Sequence, residues 1–274
     1  MRNLLISATS VAALAMAAGL ASADPAAPGA DTAVTPQAVL GGDYSYSGLN
    51  QGLGHADSYG GDFGVVLPAP YSSDFSGQIS GGYHRIESGG FGANDGNVAG
   101  TMSWDSTMGR LGANVGYAST NVRGASVDAT NYGAYGEYYA GDRITLGLRG
   151  GGVTGAANAF GVGSASSTGG YGGGEAVAYL MPDLAARATV GYVGIADGHQ
   201  WTAGLHGEYL FSETTPLSGW VGYDYSSIGA EGFAVHANTF SIGLKYYFGG
   251  SGSLERHQRT GEDDWGPSTI DLTH

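Results

Sequence analysis

The residues best placed to act on a small charged molecule are glutamates and arginines that recur at matching points of neighbouring segments. Gly136-Glu137-Tyr138, Gly174-Glu175-Ala176 and Gly207-Glu208-Tyr209 repeat one short pattern, and Arg110, Arg143 and Arg187 each stand just after a short turn. Arg149 falls on the same alternating set as Arg143. If the segments are β-strands, these side chains share one face of a sheet, because successive residues point to opposite sides. Folding the hairpin about 140–142 sets Glu137 opposite or diagonal to Arg143, and opposite charges across a strand pair attract. Such a set can line a water-filled pore and set ion preference through its balance of Arg and Glu. Alternatively, its members neutralise one another and help to fill a narrow interior. Residue spacing leaves both readings open.

Other chemistries find less support. None of the seven histidines, at 55, 84, 199, 206, 236, 257 and 274, has the i, i+4 partner of a helical zinc protease. A metal site would have to be assembled across strands from His84, His199 and His206, and single wall histidines need no ligand role; no metal and no cofactor is expected. There is no cysteine, which removes disulfides and thiolate sites. Serine, histidine and aspartate are plentiful, but nothing singles out a nucleophile with its base, and no Gly-x-Ser-x-Gly elbow occurs, so no catalytic residues are expected. Glu262-Asp263-Asp264 lacks the loop that encloses calcium.

The elements that must position these charges are legible from composition and alternation. The chain has 52 Gly and 18 Tyr with only 12% charged residues, and a net charge of −14 that argues against a nucleic-acid partner. Residues 1–23 have the layout of a secretory signal: Arg2, an apolar run, then Ala21-Ser22-Ala23. No later run of 18 or more apolar residues could form a spanning helix. Instead, Phe240, Ile242, Leu244, Tyr246 and Phe248 alternate with Thr239, Ser241, Gly243, Lys245 and Tyr247. Leu217, Gly219, Val221, Tyr223 and Tyr225 alternate with Ser218, Trp220, Gly222, Asp224 and Ser226, and the segments near 110–117, 143–149 and 200–211 do the same. Segments of about ten residues, apolar on one face and polar or Gly on the other, are the signature of a membrane barrel.

Breaks between segments come in two kinds that take turns. Short turns at 105–109, 140–142, 181–183 and 212–216 suit a periplasmic rim, and longer polar connections near 87–95, 119–130, 155–169 and 229–235 suit an outer rim. Counting back from 248 gives eleven strands, near 236–248, 216–228, 199–211, 185–196, 170–180, 143–154, 130–140, 110–120, 96–105, 73–85 and 57–67. Parity adds a twelfth at 40–49. The expected fold is therefore all-β, a transmembrane antiparallel up-and-down barrel of about 12 strands over 40–248, with 10 as the fallback. Residues 24–39 read as a flexible linker and 249–274 as a disordered acidic periplasmic tail. Tyr83, Trp104, Tyr117, Tyr139, Tyr192, Tyr209, Phe211, Tyr223, Tyr225, Tyr246 and Phe248, near strand ends, are expected to form interfacial girdles.

With the leader, the two kinds of turn and the terminal run 240–248 in view, the chain resembles the porin-like outer-membrane β-barrel proteins of Gram-negative bacteria. The resemblance covers roughly 40–248 and implies an outer-membrane location, contact with lipid, and a last strand whose aromatic end, Phe248, is read by the assembly machinery. Here 26 residues follow Phe248, a departure that leaves room for a second function of the tail, with a periplasmic partner unknown. The functional expectation is a passive diffusion channel for small hydrophilic solutes, lined by Glu137, Glu175, Glu208, Arg110, Arg143, Arg149 and Arg187. The alternatives are a plugged barrel acting through outer loops or tail, and an outer-membrane hydrolase.

Overall fold

A computed structural model describes residues 36–50, 54–69, 72–122, 125–159, 163–195, 198–212, 216–230, 233–249 and 252–260. Residues 1–35, which hold the expected signal and most of the expected linker, and the last 14 residues lie outside them. In chain order the strands are β1 (Gln37–Leu49), β2 (Gly54–Ala69), β3 (Ser72–Ser88), β4 (Phe91–Ser106), β5 (Gly109–Val122), β6 (Ala125–Tyr139), β7 (Ile144–Ala159), β8 (Gly163–Met181), β9 (Leu184–Ile195), β10 (Gly198–Leu210), β11 (Leu217–Ala230) and β12 (Phe233–Phe248). Each pairs antiparallel with its sequence neighbours, and β1 pairs with β12 from Ala38↔Phe248 to Leu49↔Ala237, closing the barrel. Closure removes the unpaired edges that a sheet cannot leave open in lipid.

Alternation decides which way each side chain points. Leu40, Ile79, Val98, Met102, Leu111, Val115, Leu146, Leu148, Val190, Leu205, Val221, Ile242 and Leu244 are all exposed on the outer face. A continuous exposed apolar belt around a closed barrel is a lipid-facing surface. Their chain neighbours, including Gln78, Thr101, Asn114, Thr145 and Ser241, are buried on the inner face.

Outer-face tyrosines mark one edge of the belt. Tyr83 donates to Asn94 (3.2 Å), Tyr117 to Asp128 (2.8 Å) and Tyr223 to Asn238 (2.7 Å), while Tyr44 donates to Asp57 and Tyr225 bonds His236 (3.0 Å). In every case the partner lies on the adjacent strand, two residues nearer the rim away from the chain ends. The ring stays in apolar surroundings while the hydroxyl is held at the wet side, which is the division an interfacial girdle needs. Tyr139 departs from the expected girdle. It shares the inner face with Glu137, and Tyr138 takes the outer position, 58% exposed.

The expected long outer connections also resolve differently. The described residues of 87–95, 119–130, 155–169 and 229–235 are mostly strand, with pairings such as Glu87↔Gly92 and Ala125↔Ala159 carrying hairpins beyond the belt. Beyond the lipid both faces meet water, so apolar alternation fades while the backbone ladder continues. The chain past β12 departs most. Gly249 (φ 79°) and Gly252 (φ 137°) turn it back, and a short helix, α1 (Leu254–Thr260), follows. Positive φ at both positions favours glycine. The expectation of a disordered tail therefore does not hold over 252–260.

Candidate channel lumen and its mouth

The inner face is built from short polar side chains and glycine. Gly60, Gly112, Gly222 and Gly243 stand opposite His84, Tyr135, His206 and Trp220, which a Cβ on them would meet, and a Cβ on Gly133 would meet the Tyr171 hydroxyl, which reaches over from two strands away. Rings therefore lie flat across neighbouring strands, against wall positions that have no side chain. Midway along the barrel Asp62 points inward, and its side chain is 53% exposed, so there is free space beside it at that level.

Six of the seven charged residues expected to line the lumen point inward. Arg110 lies opposite Glu137, with its guanidinium 3.9 Å from that carboxylate and 2.5 Å from Asp105. Arg187 and Glu175, diagonal across β8 and β9, are 3.6 Å apart. Arg149 lies on the inner set of β7, half-buried. Glu208 is buried and accepts from Ser218 (2.5 Å) and Tyr247 (2.6 Å), with Lys245 at 3.5 Å. Arg143 is the exception: it sits in the turn before β7, exposed, and Glu137 pairs across β6–β7 with Gly147. The turn takes one residue more than the sequence reading allowed, so Arg110 replaces Arg143 as the partner of Glu137. His84, on β3, is likewise apart from His199 and His206 on β10; it pairs instead with Asp43.

At the rim that carries both chain ends, these charges meet α1. Gln258 donates to Glu208 (3.1 Å), and Arg110 donates to the Arg259 carbonyl (2.9 Å). The Arg259 guanidinium donates to the Thr145 hydroxyl and to the carbonyls of Gly141 and Ile144 (3.1, 2.9 and 3.0 Å). It also lies 4.6 Å from the Tyr139 ring centre and 5.3 Å from that of Tyr179, within cation–π range. His257 stacks on Tyr247 at 4.6 Å. Leu254 is 0% exposed and joins Val177, Tyr179, Ala185, Leu210 and Tyr247 in an apolar cluster inside the mouth, a burial worth about 1.5–3 kcal/mol. The Leu254 amide donates to the Pro182 carbonyl.

One seven-residue helix thus touches β5, β6, β7, β8, β9, β10 and β12. In a ring of twelve, β5 and β12 stand nearly opposite each other. Twelve tilted strands at ~4.8 Å spacing enclose a backbone ring roughly 24 Å across. A helix with its side chains is about 10–12 Å thick. Inward side chains from both sides and α1 between them account for that width, so the helix lies across the mouth. Burial pushes the His257 imidazole down to about 4, with Arg256 adding to the shift and Glu208 opposing it. Burial raises Glu255 against the pull of Arg259, its partner at 2.6 Å.

Sequence reasoning missed this helix, although signals were present. The Ser253 hydroxyl accepts from the Arg256 amide as an N-cap, Glu255 stands in the first turn, and Glu255 and Arg259 have i, i+4 spacing. The excess of acids over 249–274 obscured a locally balanced stretch.

No protein-family model and no curated protein sequence matches the chain. Among solved structures it is similar to the translocator domain of the autotransporter NalP from Neisseria meningitidis (TM-score 0.49, 15% identity, 78% of this chain and 88% of that one). It is also similar to the KdgM porin (0.45, 11%, 75% and 98%) and to an anion-selective porin from Comamonas acidovorans (0.42, 9%, 78% and 99%). At these values the assignment of fold rests on the molecule's own closed topology and apolar belt: a membrane-spanning antiparallel barrel of twelve strands.

Proposed function

We propose that this protein is a channel of the Gram-negative outer membrane, passing small hydrophilic solutes by passive diffusion, with its periplasmic mouth closed by its own C-terminal helix. The observation that carries this reading is an interior rich in glycine and short polar groups, with free space beside Asp62, that leads down to a mouth crossed by α1. An up-and-down barrel needs no such helix to satisfy its backbone, since every strand already pairs on both sides. The docked helix instead occupies the inward charges that would otherwise face a permeating solute: Arg110, Glu208 and, through Tyr139, Glu137. Solute passage in this account is limited by radius and local potential in the lumen, and by whether α1 is in place.

A liposome-swelling series tests the solute class. Barrel ending at Phe248, checked for folding by heat-modifiable migration, should let vesicles swell in small neutral sugars at rates that fall with sugar size. Swelling no faster than in protein-free vesicles, from a folded barrel, would contradict diffusion and favour a filled barrel that acts through its rims.

A further inference from the structure

We infer that Asp43, Asp62 and His84 form a binding site for a single divalent transition-metal ion of the zinc class on the lumen wall. The three residues come from consecutive strands β1, β2 and β3 and point inward. His84 Nε2 lies 2.5 Å from Asp43 Oδ1 and 3.8 Å from Asp62 Oδ2, and all three donor atoms fall within 4.8 Å of one another. Donors bound at about 2.0–2.2 Å in a tetrahedral site stand a little over 3 Å apart. An ion entering between them therefore needs only small side-chain rotations, with Asp43 and His84 moving slightly apart.

The backbone around the cluster is shaped to leave room for it. Gly60 is the cross-strand partner of both Asp43 and His84. A Cβ there would collide with the His84 ring and the Tyr83 carbonyl, so only glycine lets the imidazole lie flat across β2 to reach β1. Asp62 in turn has glycine on both sides, Gly41 and Gly82. The His84 and Asp43 side chains are largely buried, whereas that of Asp62 faces the open lumen. Three donors thus come from the wall, and the fourth position faces water.

The donor set selects the cation. Calcium and magnesium take oxygen ligands, whereas an imidazole beside two carboxylates suits zinc, copper or nickel. Two carboxylates neutralise a divalent charge, and the ion takes the place of whatever proton His84 and Asp43 share, since ligands bind deprotonated. The barrel also contains an internal comparison. His206 and Asp224 form a similar pair at 2.9 Å, but His206 stacks on Trp220 and, among the described residues, the pair has no third metal-binding side chain within the same reach. A His–Asp pair alone should bind far more weakly.

Equilibrium titration of the folded full chain in detergent micelles with Co2+, followed by its visible absorption and by displacement with Zn2+, tests the site. It reads binding without conductance, so a barrel that never conducts leaves the result interpretable. The expected result is one ion per chain, lost in His84→Ala, weakened at least tenfold in Asp62→Asn, and unchanged in His206→Ala. Asp62 is exposed, so its variant should fold normally even if that of His84 does not. No saturable binding, or binding that survives both His84→Ala and Asp62→Asn, would overturn the assignment and leave only adventitious surface histidines.

Discussion

The Glu208 carboxylate is where the barrel wall and the docked helix meet, since Tyr247 of β12 and Gln258 of α1 both donate to it. It gathers Ser218, Tyr247, Lys245 and Gln258 on one carboxylate. Glu208→Ala leaves several buried donors without their acceptor, each costing on the order of 1–3 kcal/mol. The variant should lower the urea midpoint of unfolding and raise amide exchange across 254–260; unchanged exchange there would show that Glu208 does not hold the helix. Glu208→Gln keeps one acceptor oxygen and should fall between. The Tyr138 and Tyr139 pair makes the complementary point. Two adjacent aromatics look alike in a girdle count, and only the phase set by Glu137 puts Tyr139 inside.

At the scale of the element, the docking of α1 is coupled to the protonation of His257. Burial pushes the docked imidazole down to about 4 from an ordinary value of 6.5. Docking therefore favours the neutral ring: its full contribution is present above pH 6.5 and is lost as pH falls from 6.5 towards 4, because only the undocked helix takes up the proton in that window. The loss approaches on the order of 3 kcal/mol at the low end, with Glu208, Arg256 and the Tyr247 ring as the groups facing His257. Channel opening in bilayers should rise over that window in the full chain and not in His257→Phe. An equal rise in both would assign the effect to other groups. The strands themselves were legible because a two-residue period is repeated over a whole segment. The helix was not, because two turns give too few residues for a helical period to stand out.

At the scale of the whole molecule, closure and belt were written in the alternation, and strand parity supplied the weak first strand that pairs with β12. What could not be read was the height at which strands leave the lipid, since residues with water on both faces lose their pattern while still pairing. The belt makes its own prediction. Ile242 lies on the outer face between Phe240 and Leu244, and Ile242→Arg should destabilise the folded barrel in vesicles by about 2–4 kcal/mol. Arginine at the neighbouring inner position, Ser241, should be read through conductance instead. A negligible cost at Ile242 would place the belt outside the bilayer.

Single-channel conductance of the full chain beside the chain ending at Phe248, in the same planar bilayer, bears most directly on the central claim that an open barrel is closed by its own C-terminal helix. The shortened barrel should give discrete ohmic steps and the full chain rare or much smaller openings, with Arg259→Ala falling between the two. Equal conductance from both forms, or a folded shortened barrel that never conducts, would contradict it.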